Sequence, residues 1–177
     1  MNKSLIIAIL VFGLIECAIL LLISLTPGVE NAAGLSHPQL LGMRIGGAGA
    51  VRIAPIAILA FLFQTTVLAQ FATFIALAVT AKRRSPVFYS FLSLCFVFTI
   101  GVWWRLFSGH QQYLATGETQ YFLGFPVATA WAVYGVYLAG VSFIVLYVLG
   151  FKKFIWSDQD ESEFQQLVNK NNTTQIK

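Results

Sequence analysis

Four long apolar runs, separated by short polar or breaker-rich stretches, dominate the chain. The first covers residues 5–25, twenty-one residues that read LIIAILVFGLIECAILLLISL. At 1.5 Å per helical residue this length crosses a bilayer core of roughly 30 Å. It stops at Thr26-Pro27-Gly28, a breaker sequence. The second run covers 53–80, longer than the minimum, so it is expected to tilt or protrude. Pro55 stands in its first turn, where a missing N–H costs nothing. Lys82-Arg83-Arg84 ends it. The third run covers 86–107 and closes on Trp103, Trp104 and Arg105, an aromatic belt. The fourth opens at Gly124-Phe125-Pro126, covers 125–151 and ends at Lys152, Lys153 and Trp156.

The connecting stretches carry weaker signals. Between 27 and 52, Ser36-His37-Pro38 reads as the start of a short helix, with Ser36 as N-cap. Such a helix would lie in the membrane interface. Gly46-Gly47-Ala48-Gly49 follows and is not a nucleotide fingerprint, because no strand precedes it. Residues 108–120 read as a polar loop holding His110 and Glu118. Residues 157–177 form a polar tail with an acidic start, an apolar stripe of Phe164, Leu167 and Val168, and an Asn/Thr-rich end expected to be disordered.

Composition agrees with lipid as the main solvent. Charged residues make up 10% of the 177, against about 25% in soluble domains. The expected class is all-α: an integral membrane protein of four transmembrane helices in residues 1–156, followed by the tail. The first run has a lysine before it, as a signal peptide would. It is longer than the ~7–15 residues of an h-region and is interrupted by Glu16, so it is read as a retained span.

Charge placement sets the expected orientation. With the N-terminus inside, Lys3, Lys82, Arg83, Arg84, Lys152, Lys153, Lys170 and Lys177 are inside, and Arg44, Arg52 and Arg105 are outside. Positive residues favour the cytoplasmic side, so both termini are expected there.

Candidate chemistry is sparse. Glu16 lies near the middle of the first run, where a carboxylate must be solvated, paired or kept protonated. It sits about eleven residues, ~16 Å, from the inner end, and Gln64 lies about eleven from the outer start of the second run. Similar depth makes Gln64 a candidate hydrogen-bond partner. Glu16 is therefore either an ion- or proton-coupling carboxyl or a structural one bonded to Gln64, Thr65 or a partner protein. Cys17 and Cys95 lie in apolar runs and read as small packing residues. No histidine falls inside a run, and H-E-x-x-H, G-x-S-x-G and C-x-x-C are absent. No catalytic residue, cofactor or metal site is expected. Arg52 and Arg105 read as snorkelling cations.

The fourth run carries Ala128, Ala132, Gly135, Ala139 and Ser142 at spacings of four and three, which place them on one helical face. In membranes a face of small residues lets helices approach closely. The neighbour is either another helix of this chain or a partner.

Gly124-Phe125-Pro126, the end of the fourth run at Phe143-Ile144-Val145-Leu146, then Lys153-Phe154-Ile155 and the acidic Asp158–Glu163 stretch together resemble a known family. It comprises the short accessory membrane proteins that accompany sodium:solute symporters, including the sodium/pantothenate type. The resemblance covers residues 82–163, and the first eighty residues have no counterpart in it. It implies a non-enzymatic partner of a larger polytopic transport protein in a bacterial inner membrane, and carries over no binding residue. A single glutamate in the first of four helices is also similar to the small multidrug-resistance antiporters, which implies the alternative of a proton-coupled transporter acting as a homo-oligomer through Glu16. Little else matches that family, and the strong charge bias departs from its dual-topology members. A membrane redox or lipid enzyme is a third class, and would require a bound cofactor.

Overall fold

The computed structural model describes residues 3–29, 34–46, 51 and 53–175. Four of its helices are long and apolar enough to cross a membrane: Lys3–Leu25, Ala54–Ala78, Pro86–Thr116 and Val127–Ile155. We label them α1 to α4, with α5 for the tail helix Asp158–Gln175. α2 starts as a 3₁₀ turn, Ala54–Ile56, with Pro55 in it, before the α-helix Ala57–Ala78.

The helices are layered in chain order. α1 packs on α2, α2 on α3, and α3 on α4. Neighbouring helices are antiparallel: Leu5 at the start of α1 packs against the cluster that joins Ala76 at the end of α2, Phe88 at the start of α3 and Phe154 at the end of α4. The most tightly buried cluster is Ala76, Val79, Phe88, Leu92 and Phe154, at the end of the bundle bearing Lys82–Arg84 and Lys152–Lys153. Elsewhere the helix surfaces are apolar and exposed.

At the opposite end, Phe61 of α2 is ringed by Trp103, Trp104 and Phe107 of α3, with centroids 4.7–6.3 Å apart among these rings. Trp103 Nε1 donates to the Phe61 carbonyl at 3.4 Å. The expected aromatic belt is thus also a helix–helix contact.

Four expectations need correction. α3 continues to Thr116, not to 107. Nothing in 108–116 breaks a helix, and Gly109 is used for close packing: a Cβ there would meet Val127 Cγ1 at 3.4 Å. The stop is Gly117, whose φ of 71° suits glycine. At 31 residues and about 46 Å, α3 is longer than a ~30 Å bilayer core, and His110 lies in its last two turns.

Ser36-His37-Pro38 opens no helix. Leu35–Ser36 (β1) pairs antiparallel with Arg44–Ile45 (β2). His37 Nδ1 accepts from the backbone N–H of Gln39 and Leu40, both at 3.1 Å, and this local bonding closes a turn where a helix was expected. Gly47 to Gly49 and Arg52 lie outside the described residues.

Gly124 does not begin the fourth span. It ends a two-residue hairpin turn with Leu123, both at positive φ, between Tyr121–Phe122 (β3) and Phe125–Pro126 (β4). The helix starts at Val127, two residues after the expected 125.

Finally, the tail is helical from Asp158 to Gln175. Ser157 and Asp160 form a reciprocal cap: Asp160 Oδ2 accepts from Ser157 N at 2.7 Å, and Ser157 Oγ accepts from Asp160 N at 3.4 Å. Three acidic residues in the first turn complement the helix dipole.

Candidate functional site

Glu16 projects into the α1–α2 interface, and its partner is Gln70. With the Gln70 nitrogen turned towards it, the carboxylate accepts at 3.1 Å (Oε1) and 3.3 Å (Oε2). In the opposite orientation Gln70 Nε2 donates to the Ile9 carbonyl at 3.3 Å, and the amide oxygen faces Glu16. The first arrangement satisfies an ionised carboxyl. The second satisfies a protonated one, whose O–H donates to the amide oxygen. Gly13, one turn from Glu16, leaves the space the amide occupies: its missing Cβ would sit 3.7 Å from Nε2.

Gln64 is not the partner. It is six residues from Gln70, about 9 Å along α2 and some 240° around it. There it lines a cavity of about 340 Å³ between α2, α3 and α4, with Phe71, Thr99 and Trp103. Counting depth from assumed helix ends missed the register by nearly two turns. Thr65 likewise turns back on its own helix, donating to the Phe61 carbonyl at 2.8 Å.

The small-residue face of α4 is only partly realised. Gly135 and Ala139 are buried, Ala128 and Ser142 are half-buried, and Ala132 is exposed. The cause is a π-helical turn at Trp131–Gly135. Its extra residue rotates the segment before it, so Ala130 takes the buried place expected of Ala132. The neighbour is the chain's own α3. A Cβ on Gly135 would stand 2.8 Å from Val102 Cγ1. Cys95 of α3 packs at the same contact, its Sγ 3.5 Å from the Ser142 carbonyl, while Cys17 is exposed on α1.

Towards the basic end, α3 and α4 diverge around an apolar groove of about 630 Å³, lined by Val87, Phe91, Phe98, Val145, Lys153 and neighbouring side chains. A second π-helical turn, Phe151–Ile155, forms its end. Gly150 makes room there for Phe154, whose ring would lie 2.6 Å from a Cβ at position 150.

The basic cluster has three separate fates. Lys82 is exposed. Arg84 turns back and caps α2, with Nε donating to the Val79 carbonyl at 2.8 Å and Nη2 to the Leu77 carbonyl at 3.1 Å. Arg83 crosses to the tail, where it donates to the Ile155 carbonyl, to Ser157 Oγ at 3.1 Å and to the Asp160 carboxylate. The Arg83 guanidinium, with the Ser157 N–H and hydroxyl, lowers the Asp160 carboxyl to about 2. Glu161 is held below its ordinary value by the Gln165 amide and then by the Trp156 indole N–H, which donates at 2.8 Å. A second ion pair, Lys152–Asp158 at 2.9 Å, is fully exposed. Together these contacts latch α5 to the base of the bundle. The latch was readable in part: Ser157 followed three residues later by Asp160 is a capping signature. Arg83 as its counterpart carried no local signal.

At the other end, Arg105 is exposed and lines a small polar pocket of about 80 Å³ with Glu118. Among the described residues no group of three His, Cys, Asp or Glu side chains gathers where it could hold a metal ion.

No family model, no curated protein and no solved structure matches the chain.

Proposed function

We propose that this chain is a small, non-catalytic membrane subunit that binds and stabilises a larger polytopic transport complex, in a bacterial inner membrane with both termini in the cytoplasm. The observation that carries the reading is the pairing of Glu16 with Gln70. The one acidic residue within the four apolar runs is bonded in an interface between two helices of its own chain. A carboxyl used this way fixes helix register, and needs no ion pathway to account for it. The groove between α3 and α4, the largest of the described cavities, is apolar, unlike a route for a hydrated ion. The orientation rests on the basic ends of α2 and α4.

The alternative is a proton-coupled transporter that works as a homo-oligomer through Glu16. What favours it is that the Gln70 amide can satisfy the carboxyl in both protonation states. Extraction in mild detergent separates the two. A subunit co-purifies in fixed ratio with a larger membrane protein; recovery only as an oligomer of itself would overturn the subunit reading.

A further inference from the structure

The groove between α3 and α4 is bounded by one helical face from each. Val87, Phe91, Leu94 and Phe98 come from α3, and Ser142, Val145, Leu149 and Lys153 from α4. From Ser142 to Lys153 is eleven residues, about 16 Å, close to half of a ~30 Å hydrocarbon core. The groove therefore runs from the basic membrane surface to the midplane, the depth of one leaflet. An apolar groove of that depth matches the length an acyl chain spans within one leaflet.

The lining is apolar almost throughout. The polar groups it does contain are turned to the protein: Ser142 Oγ donates to the Ala139 carbonyl at 2.7 Å, and Cys95 Sγ to the Ser142 carbonyl. The charge is at the mouth. Arg83 and Lys152 are held by Asp160 and Asp158. Lys153 instead lies at the groove's end, its Nζ 5.7 Å from the centre of the Phe154 ring that forms the wall.

We propose that this groove holds one acyl chain of an anionic phospholipid from the basic-side leaflet, with the lipid phosphate at Lys153. The apolar section selects the chain, and the lysine selects the head group. The site concerns this chain alone and does not depend on the subunit reading.

The test is native mass spectrometry of the purified chain, offered phosphatidylglycerol and phosphatidylcholine with identical acyl chains. The expected result is retention of one phosphatidylglycerol in preference. Lys153→Gln should lower that preference about fivefold, the equivalent of ~1 kcal/mol for a basic residue near an anionic surface. Lys82→Gln, on the same side but outside the groove, should leave it unchanged. Val145→Trp should fill the groove and remove retention of both lipids, whereas Leu138→Trp, exposed elsewhere on α4, should not. Equal retention of the two lipids, or retention unaffected by Val145→Trp, would overturn the proposal. So would efficient cross-linking of Val145→Cys to a second protein in membranes, because a partner helix would then occupy the groove.

Discussion

Gly135 of α4 packs tightly against α3 and gives the sharpest test of the helix packing. A methyl group there would stand 2.8 Å from Val102 Cγ1 and 2.7 Å from Trp131 Cε3. Trp131 belongs to the same helix and can rotate. Val102 is only 3% exposed and has little freedom to move. Gly135→Ala must therefore push α4 away from α3 by a few tenths of an ångström, an overpacking cost of ~1–3 kcal/mol. Gly140, five residues on, has nothing within 4 Å of its would-be Cβ. Gly140→Ala should be neutral or stabilising, by up to about 1 kcal/mol of helix propensity. Gly135→Leu should cost more than Gly135→Ala, and Val136→Leu, at a half-exposed neighbour, should be mild. The assay is reversible unfolding in mixed micelles, with expression of each variant measured separately. If Gly135→Ala is as stable as Gly140→Ala, α4 does not pack on α3 at this position and the register of the two helices is wrong.

Gln70→Leu should destabilise the α1–α2 pair by about 0.6–2 kcal/mol while Gln64→Leu has little effect, measured in the same assay; equal effects would remove Gln70 as the partner of Glu16. The latch predicts a pH response. The Asp160 carboxyl is lowered from 3.8 to about 2 on folding, so its contribution is complete above that ordinary value and is lost as pH falls towards about 2. A spin label at Glu163→Cys, with Cys17 and Cys95 replaced, should stay immobile from pH 7 to 5 and loosen below about 4, and Asp160→Asn should loosen it at pH 7; an unchanged spectrum in Asp160→Asn refutes the latch. Single cysteines at Ala81 and Thr116 should label from opposite faces of the membrane, Ala81 from the cytoplasm, and labelling of both from one face refutes the topology.

The number and place of the four long apolar helices were legible because each rests on a long local run of apolar residues. Helix ends were less so. Gly117, Ser157 and Asp160 set them by backbone conformation and capping, which the apolar pattern does not register. The hairpin at 34–46 was misread for a related reason. His37 has the residue type of a polar surface group, yet its Nδ1 accepts two backbone N–H groups and shapes the turn.

Pairing across helices was the least readable feature. Glu16 announced the need for a partner, and Gln64 and Thr65 were the candidates in the facing run, where Gln70 also stood. Choosing among them takes the antiparallel register to within one turn, and no residue in either helix encodes that locally. The α4 stripe failed at Ala132 through a single extra residue in the π-turn. A strict spacing of three and four cannot foresee such an insertion.

The central claim is that Glu16 is a structural group bonded to Gln70 and does not couple ions. Its most direct test is proton flux into liposomes carrying the purified chain, under an imposed membrane potential and read by an internal pH dye, for wild type beside Glu16→Gln. The account predicts that the two are indistinguishable from each other and from protein-free liposomes. A flux present in wild type and abolished in a folded, inserted Glu16→Gln would contradict it.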